Sequence, residues 1–350
     1  MKHWKPWVIT GICCCAAGLI FGAAGIASGA LNQEHYAKKW NLSDYHDTVT
    51  GHFSTVLIDA DYADITIQPG TQAAISAEHM EDNTYQFSVE NDTLQITQKT
   101  SSKRNWLYWI HIGPWSAPTP TITLTLPEAE YQAVAISSNF GECSVSDLTA
   151  NTFSLDVDCG SSTITGLKTA SCNADCNAGE LSLTDSEITG NAQLNLDDGD
   201  LSLNNTVIGS LCRLSNNMGN ITMQQVSSGT NEITLDCGSL SMQDCTQEET
   251  DTSSTYTLRF GDLSASSCVL YQSQFTLDYG DLETTDTALL GKSTATDNMG
   301  NINLNLRGSQ SDYQVISDIA GNSDSGSNNQ IRISGDDVAT DISVSFTEKD

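Results

Sequence analysis

Paired carboxylates are the residues of this chain best placed for chemistry. The phrase "DDGD" at Asp197–Asp200 sets three acids around one glycine. Two carboxylates on a rigid turn can serve as general acid and base in glycan cleavage. That chemistry needs His, Arg or Lys companions, and none sits beside the phrase. Carboxylates could instead hold calcium, because Asp158, Asp197, Asp236 and Asp278 recur two residues before a glycine, and Asp200, Asp262 and Asp281 follow one. Calcium takes about six to eight oxygens, yet acids alternate with amides along the series. No metal site and no cofactor is expected; turn-forming side chains that can stack as a ladder explain the series.

Nucleophilic sites are no better supplied. His3, His35, His46, His52, His79 and His111 all precede residue 139, where the repeats described below begin. A Ser-His-Asp or Cys-His site would have to borrow its base from the N-terminal third. Eight cysteines lie in the repeats, at Cys143, Cys159, Cys172, Cys176, Cys212, Cys237, Cys245 and Cys268, without a CxxC pair to suggest zinc or dithiol redox work. Most occupy inward positions, where a thiol packs as a small hydrophobe. Cys245 and Cys268 each stand seven residues after a glycine, in consecutive copies. That spacing allows a disulfide between them.

The carboxylates and the eight cysteines are placed by one recurring phrase: Asn or Asp, any residue, Gly, a polar residue, then alternating apolar positions. Its glycines are Gly141, Gly160, Gly179, Gly199, Gly219, Gly238, Gly261, Gly280 and Gly300, spaced by 19, 19, 20, 20, 19, 23, 19 and 20 residues. Two residues on stand Cys143, Ser162, Leu181, Leu201, Ile221, Leu240, Leu263, Leu282 and Ile302; four on stand Val145, Ile164, Leu183, Leu203, Met223, Met242, Ala265, Thr284 and Leu304. Period-two alternation puts both columns on one strand face. A third column, three residues before the glycine, enters the same interior at Val157, Cys176, Leu196, Leu235, Leu258 and Leu277. A fixed period of this length in strand chemistry predicts an all-β, single-stack β-solenoid resembling a parallel β-helix, one coil per repeat. At about 4.8 Å per coil the rod is about 45 Å long. The polar insertion "QEETDTSST" in the longest spacing should bulge from a corner.

Residues 7–31 carry no charge and are long enough to span a bilayer. The rival reading is a cleavable signal peptide, with "SGA" before Leu31 as the small-residue cleavage site. The stretch exceeds the usual signal core, and a retained anchor is expected. Lys2 and Lys5 before it favour a cytoplasmic N-terminus at residues 1–6. Residues 32–50 read as a polar stalk, and 51–350 as the solenoid: N-terminal coils with an aromatic cap over 51–126, regular repeats over 127–308, and a C-terminal cap over 309–350. "DADYADITIQPG" is a degenerate copy with Ala63 in the glycine's place, and Glu90–Asp92 reads as a hairpin turn. The segment 103–115 breaks the pattern with Trp106, Trp109 and Trp115 beside Lys103, Arg104 and His111. It is either an aromatic lip that touches bilayer or ligand, or a cap over the open first coil.

"TVLIDADYADITIQPG", "LTLPEAEYQAVAISSNFGECSV" and the serial glycine phrases resemble the bacterial putative-adhesin family, a β-strand-repeat domain of unknown function. The resemblance covers residues 50–346 and carries no active site to transfer. It implies a surface-exposed, non-enzymatic role, often behind one membrane anchor. The cysteine content and the aromatic segment depart from the family pattern.

Charge narrows the partners. Residues 121–350 hold 7 Lys or Arg against 33 Asp or Glu, so nucleic acid and anionic headgroups are repelled. The expectation is a single-pass, extracytoplasmic scaffold of a bacterial envelope, adhesin-like or accessory to envelope-stress sensing, whose partner is an envelope or surface protein or polymer. The alternative is a glycan-cleaving enzyme on a β-helix.

Overall fold

The computed structural model describes residues 42–99, 118–248, 251–317, 326–335 and 340–347. They form a β-solenoid with two parallel sheets and no α-helix among the described residues. Long strands such as Thr149–Cys159, Lys168–Ala178 and Glu187–Asp198 stack in one sheet, and short strands such as Ser162–Thr165, Leu181–Thr184 and Leu201–Asn204 stack in the other. Leu181, Leu201, Ile221, Leu240, Leu263, Leu282 and Ile302 are successive register partners, each no more than 1% exposed. Each such side chain contributes about 1.5–3 kcal/mol by leaving water, and the columns merge into one core running from Val49 to Ile333.

Two corners close each coil. At the first, the phrase glycines from Gly141 to Gly280 hold φ between +134° and +151°. A Cβ added to Gly238 would lie 1.9 Å from the carbonyl oxygen of Gly219, so neighbouring coils touch backbone to backbone there. The second corner, six residues on, is left-handed in every regular coil: Asp147, Asp185, Asn205, Gln225, Asp244, Ser267 and Asp286 have φ of 45–56° and Gly166 has 69°.

The spacing of 19 or 20 has a local cause. Lys168–Ala178 has 11 residues and Glu187–Asp198 has 12, and their register slips between Thr169 and Ser171. The extra residue is a bulge where the long strand bends. The polar insertion enters at the same bend, between Thr246–Gln247 and Ser254–Phe260, which together replace one long strand.

Both ends depart from simple sequential stacking. Thr55–Ala60 and Asp64–Gly70 form a coil flanked on one side by Glu130–Phe140 and Cys143–Ser146, and on the other by Thr93–Gln98 and Thr121–Pro127. A later stretch of chain thus lies outside an earlier one. Ala63 stands in the glycine column, its carbonyl 2.1 Å from where a Gly141 Cβ would be. Antiparallel strands then cover this end: Ala74–Glu81 on Thr121–Pro127, Leu42–Thr48 on Ala74–Glu81, and Tyr85–Glu90 on Thr93–Gln98. The expected turn at Glu90–Asp92 is present, with Asn91 and Asp92 both at positive φ. Leu42–Thr48 corrects the expected stalk, whose second half is a strand of the fold. At the other end Gln330–Gly335 and Thr340–Thr347 add a coil onto Lys292–Asp297 and Gly300–Arg307, with the earlier strand Gln314–Ser317 outside it. The segment 103–115 with Trp106, Trp109 and Trp115, and the apolar segment 7–31, lie outside the described residues. Among the described residues no helix is long and apolar enough to cross a membrane.

Candidate functional site

The glycine corner gathers most of the candidate residues, in four parallel columns. The column two residues before the glycine reads Asn139, Asp158, Asn177, Asp197, Asn217, Asp236, Arg259, Asp278, Asn298: acids and donors in strict alternation. Asn177 donates to Asp158 at 2.6 Å, Asn217 to Asp197 at 2.7 Å and Asn298 to Asp278 at 2.8 Å. Arg259, the apparent exception, pairs with Asp236 at 3.2 Å. Like charges facing each other across strands destabilise a sheet, and the alternation removes every such contact from this column.

The column after the glycine works differently. Its side chains accept from the backbone of the next coil: Asp200 from the Asn220 N–H at 2.7 Å, Asp262 from Asp281 at 2.8 Å, and Asp281 from Asn301 at 2.7 Å. The same bond joins Asp64 to Glu142 at 2.9 Å, which carries the motif into the degenerate copy. Asp197 and Asp200 of "DDGD" are therefore both engaged as ladder acceptors. Among the described residues no cluster of His, Cys, Asp or Glu is arranged to hold a metal ion.

Between these two columns stands an exposed apolar one, directly before the glycine. Met218, Cys237, Phe260 and Tyr279 are successive register partners, and the carbonyl of Met299, in the coil after Tyr279, accepts from the Gly280 N–H. Phe140 is 40% exposed, and Met218, Phe260, Tyr279 and Met299 are 48–53% exposed. Cys159 and Cys237 are exposed in the same column. The Phe260 and Tyr279 rings stack at 5.1 Å with 11° between planes. Sequence reading passed over this column because it falls outside the inward positions. The available signal was an apolar residue set against the glycine in most copies. A groove of about 580 Å³ follows the glycines from Gly179 to Gly219, with Ala178, Asp198 and Met218 on one side and Glu180 and Asp200 on the other.

The inward column before the glycine holds three polar residues that period-two reasoning skips, Ser138, Asn216 and Asp297. Asn216 donates to the Gly199 carbonyl at 2.8 Å. Asp297, at the same position of its coil, is 1% exposed and accepts from the Met299 N–H at 3.2 Å. Burial, with the neighbouring Asp281 and Asp278 charges, raises its pKa.

The cysteines divide by position. Burial pushes the thiols of Cys143, Cys172 and Cys212 up to about 12 and Cys176 to about 11, the opposite of what a nucleophile needs. Cys245 and Cys268 are separate thiols in adjacent coils. Each donates to the carbonyl two residues back, at 3.3 and 3.2 Å. Ser186, Thr206 and Thr287 in the same column do likewise, at 2.8, 3.0 and 3.1 Å. The hydrogen bond with Cys245, with burial, raises the Cys268 thiol.

Among the described residues the histidines, His46, His52 and His79, lie at the antiparallel end. His46 Nδ1 lies 3.0 Å from Ser76 Oγ, which also donates to Glu78, on an exposed strand face. His52 and Ser54 both bind Asp92 and hold its carboxyl below the usual range, Ser54 contributing most. A second hollow of about 470 Å³ lies by the turn at Pro127–Glu130, with Lys168 among Glu128, Glu130 and Asp147.

Coil stacking, the glycine corner and the paired ladders define a β-solenoid of the strand-repeat type. The Toastrack DUF4097 family matches residues 53–212 and 211–334, and the chain belongs to that family, in agreement with the resemblance drawn from its phrases. Similar solved structures include a putative adhesin from Bacteroides fragilis, 16% identical over 73% of this chain and 96% of that one with a TM-score of 0.32. A putative adhesin from Parabacteroides distasonis is 12% identical over 87% and 97%, with a TM-score of 0.33. A putative lipid binding protein from the same organism is 13% identical over 72% and 94%, with a TM-score of 0.33. No curated protein matches.

Proposed function

We propose that this chain is a non-enzymatic interaction scaffold of a bacterial envelope, adhesin-like. Residues 7–31 would anchor it in the membrane, its N-terminus cytoplasmic and its solenoid outside. The observation that carries this reading is the exposed apolar column. On a chain of formal net charge −30, the side chains from Met218 to Met299 stay in water although an Asn or Ser would serve the coil equally well. A contiguous apolar strip with polar flanks marks an interaction surface. The ladder bonds of Asp197 and Asp200 support a structural use of those acids over glycan cleavage. A role as accessory to an envelope-stress sensor would use the same surface.

The test is made in cells with the full chain. A photo-reactive residue in place of Tyr279 is expected to trap an envelope protein or polymer, and one in place of Thr163 on the polar short-strand face is not. Equal trapping from both faces, or none from either, would overturn the scaffold. A membrane-impermeant maleimide should label Cys159 and Cys237 in intact cells; protection until lysis would place the rod inside.

A further inference from the structure

The glycine corner has one apolar wall and one acidic wall. Acids in the column after the glycine, unlike those two before it, come in adjacent pairs: Glu180 with Asp200, and Asp262 with Asp281. The second pair lies in the same two coils as the stacked Phe260 and Tyr279. Oδ1 of Asp262 and Asp281 is occupied by the ladder, and among the described residues their second oxygens have no hydrogen-bond partner. Facing carboxylates repel, so this wall holds negative charge that the fold itself leaves uncompensated.

That pairing selects the occupant. A sugar ring stacks on a free aromatic face, but Phe260 and Tyr279 take up one face of each other, and Cys237 and Met299 stand in the same column beyond them. A second copy would set acid against acid on a chain of formal net charge −30. The complement is a segment with apolar side chains along one side and Lys or Arg along the other. We propose that the corner from Met218 to Met299 binds a cationic amphipathic peptide segment of a partner protein, its apolar side on the Phe260–Tyr279 ridge and its basic side on Asp262 and Asp281. The proposal rests on the scaffold reading and names the chemistry of its partner.

The probe is a fluorescent peptide alternating Lys with Leu, titrated onto the full chain at physiological salt and followed by anisotropy. Phe260→Ser with Tyr279→Ser, and separately Asp262→Asn with Asp281→Asn, are each expected to weaken binding about tenfold, the equivalent of 1.4 kcal/mol. All four side chains face solvent, and an unchanged circular dichroism spectrum verifies the fold. Replacing Leu by Ser in the peptide should cost as much. Equal binding of the Ser peptide would reduce the effect to bulk charge and overturn the proposal, as would indifference to both double variants. Ridge-dependent sedimentation with phosphatidylcholine vesicles would assign the ridge to lipid. A concentration-dependent dimer abolished by Phe260→Ser with Tyr279→Ser would assign it to a second copy. Either result overturns the proposal. In-cell adducts from position 279 without peptide binding leave the scaffold standing and remove this occupant; peptide binding without adducts does the reverse.

Discussion

Asn177 donates its side-chain amide to the carboxylate of Asp158 in the preceding coil, at 2.6 Å. That bond is the unit of an alternating ladder along the glycine corner, in which each acid faces a donor. The rod can therefore be acidic overall without placing acids in contact along this column. Where Asp262 faces Asp281, one residue past the glycine, the repulsion lies beside the exposed Phe260 and Tyr279.

The ladder is tested by breaking its alternation. Asn217→Asp sets a carboxylate against Asp197 and Asp236 alike. It is expected to cost about 1 kcal/mol at neutral pH and lower the thermal midpoint by about 2–4 °C. Added salt should recover part of the loss. Arg259→Asp should behave the same way, and an unchanged midpoint in both would show that the alternation carries no energy.

Backbone contact at the corner makes glycine obligatory there. Gly238→Ala drives a methyl into the Gly219 carbonyl at a left-handed φ, at a cost of about 3–4 kcal/mol by overpacking and strain. Gly326→Ala is the control, with φ +68° and open space around it, and should cost about 1 kcal/mol. Denaturant midpoints of the two variants compare them directly.

Asp297 gives a pH signature. Its folded pKa is raised, chiefly by burial, so between the unfolded and folded values the native state binds more proton than the unfolded chain. The penalty is absent below the unfolded value of about 3.9 and grows as pH rises through the raised folded value. Asp297→Asn removes the charge, and Asn216 shows that an amide at this position can donate to the neighbouring glycine carbonyl. The variant is expected to melt higher than the parent at about pH 7, with the gain vanishing at about pH 3. A gain independent of pH would exclude titration of Asp297 as its source.

Cys245 and Cys268 occupy hydroxyl positions, so Cys268→Thr, matching Thr287 in the next coil, should change stability by less than about 1 kcal/mol. Exposed Cys159 and Cys237 should react with a thiol reagent at once, and the buried thiols only on unfolding. All 11 cysteines are expected to titrate in denaturant without reductant. A count two short would instead establish the bridge allowed by the shared column of Cys245 and Cys268.

Particular residues show why some features were legible in the sequence. The Leu181–Ile302 column and Gly238 announce themselves because core and corner need one residue type at one phase. The left-handed corner through Asp185, Gln225 and Ser267 gave no such signal, since several side chains tolerate it at about 1 kcal/mol. Ser138, Asn216 and Asp297 were missed because the rest of their column is Val, Cys and Leu. The Phe260–Tyr279 ridge was written in the chain beside the glycine and outside the inward columns, and the structure shows it facing water.

Sequence alone determined the coil period, the inward columns and the alternation of acids with donors. Each follows from contacts that repeat at fixed spacing along the chain. The tertiary structure alone decided that Thr93–Gln98 and Thr121–Pro127 stack outside Thr55–Ala60 and Asp64–Gly70. It also decided that antiparallel strands close that end, and that an apolar ridge faces water. A parallel strand accepts any neighbour of matching face pattern, and the partner that wins is set by closure of the whole chain around one core.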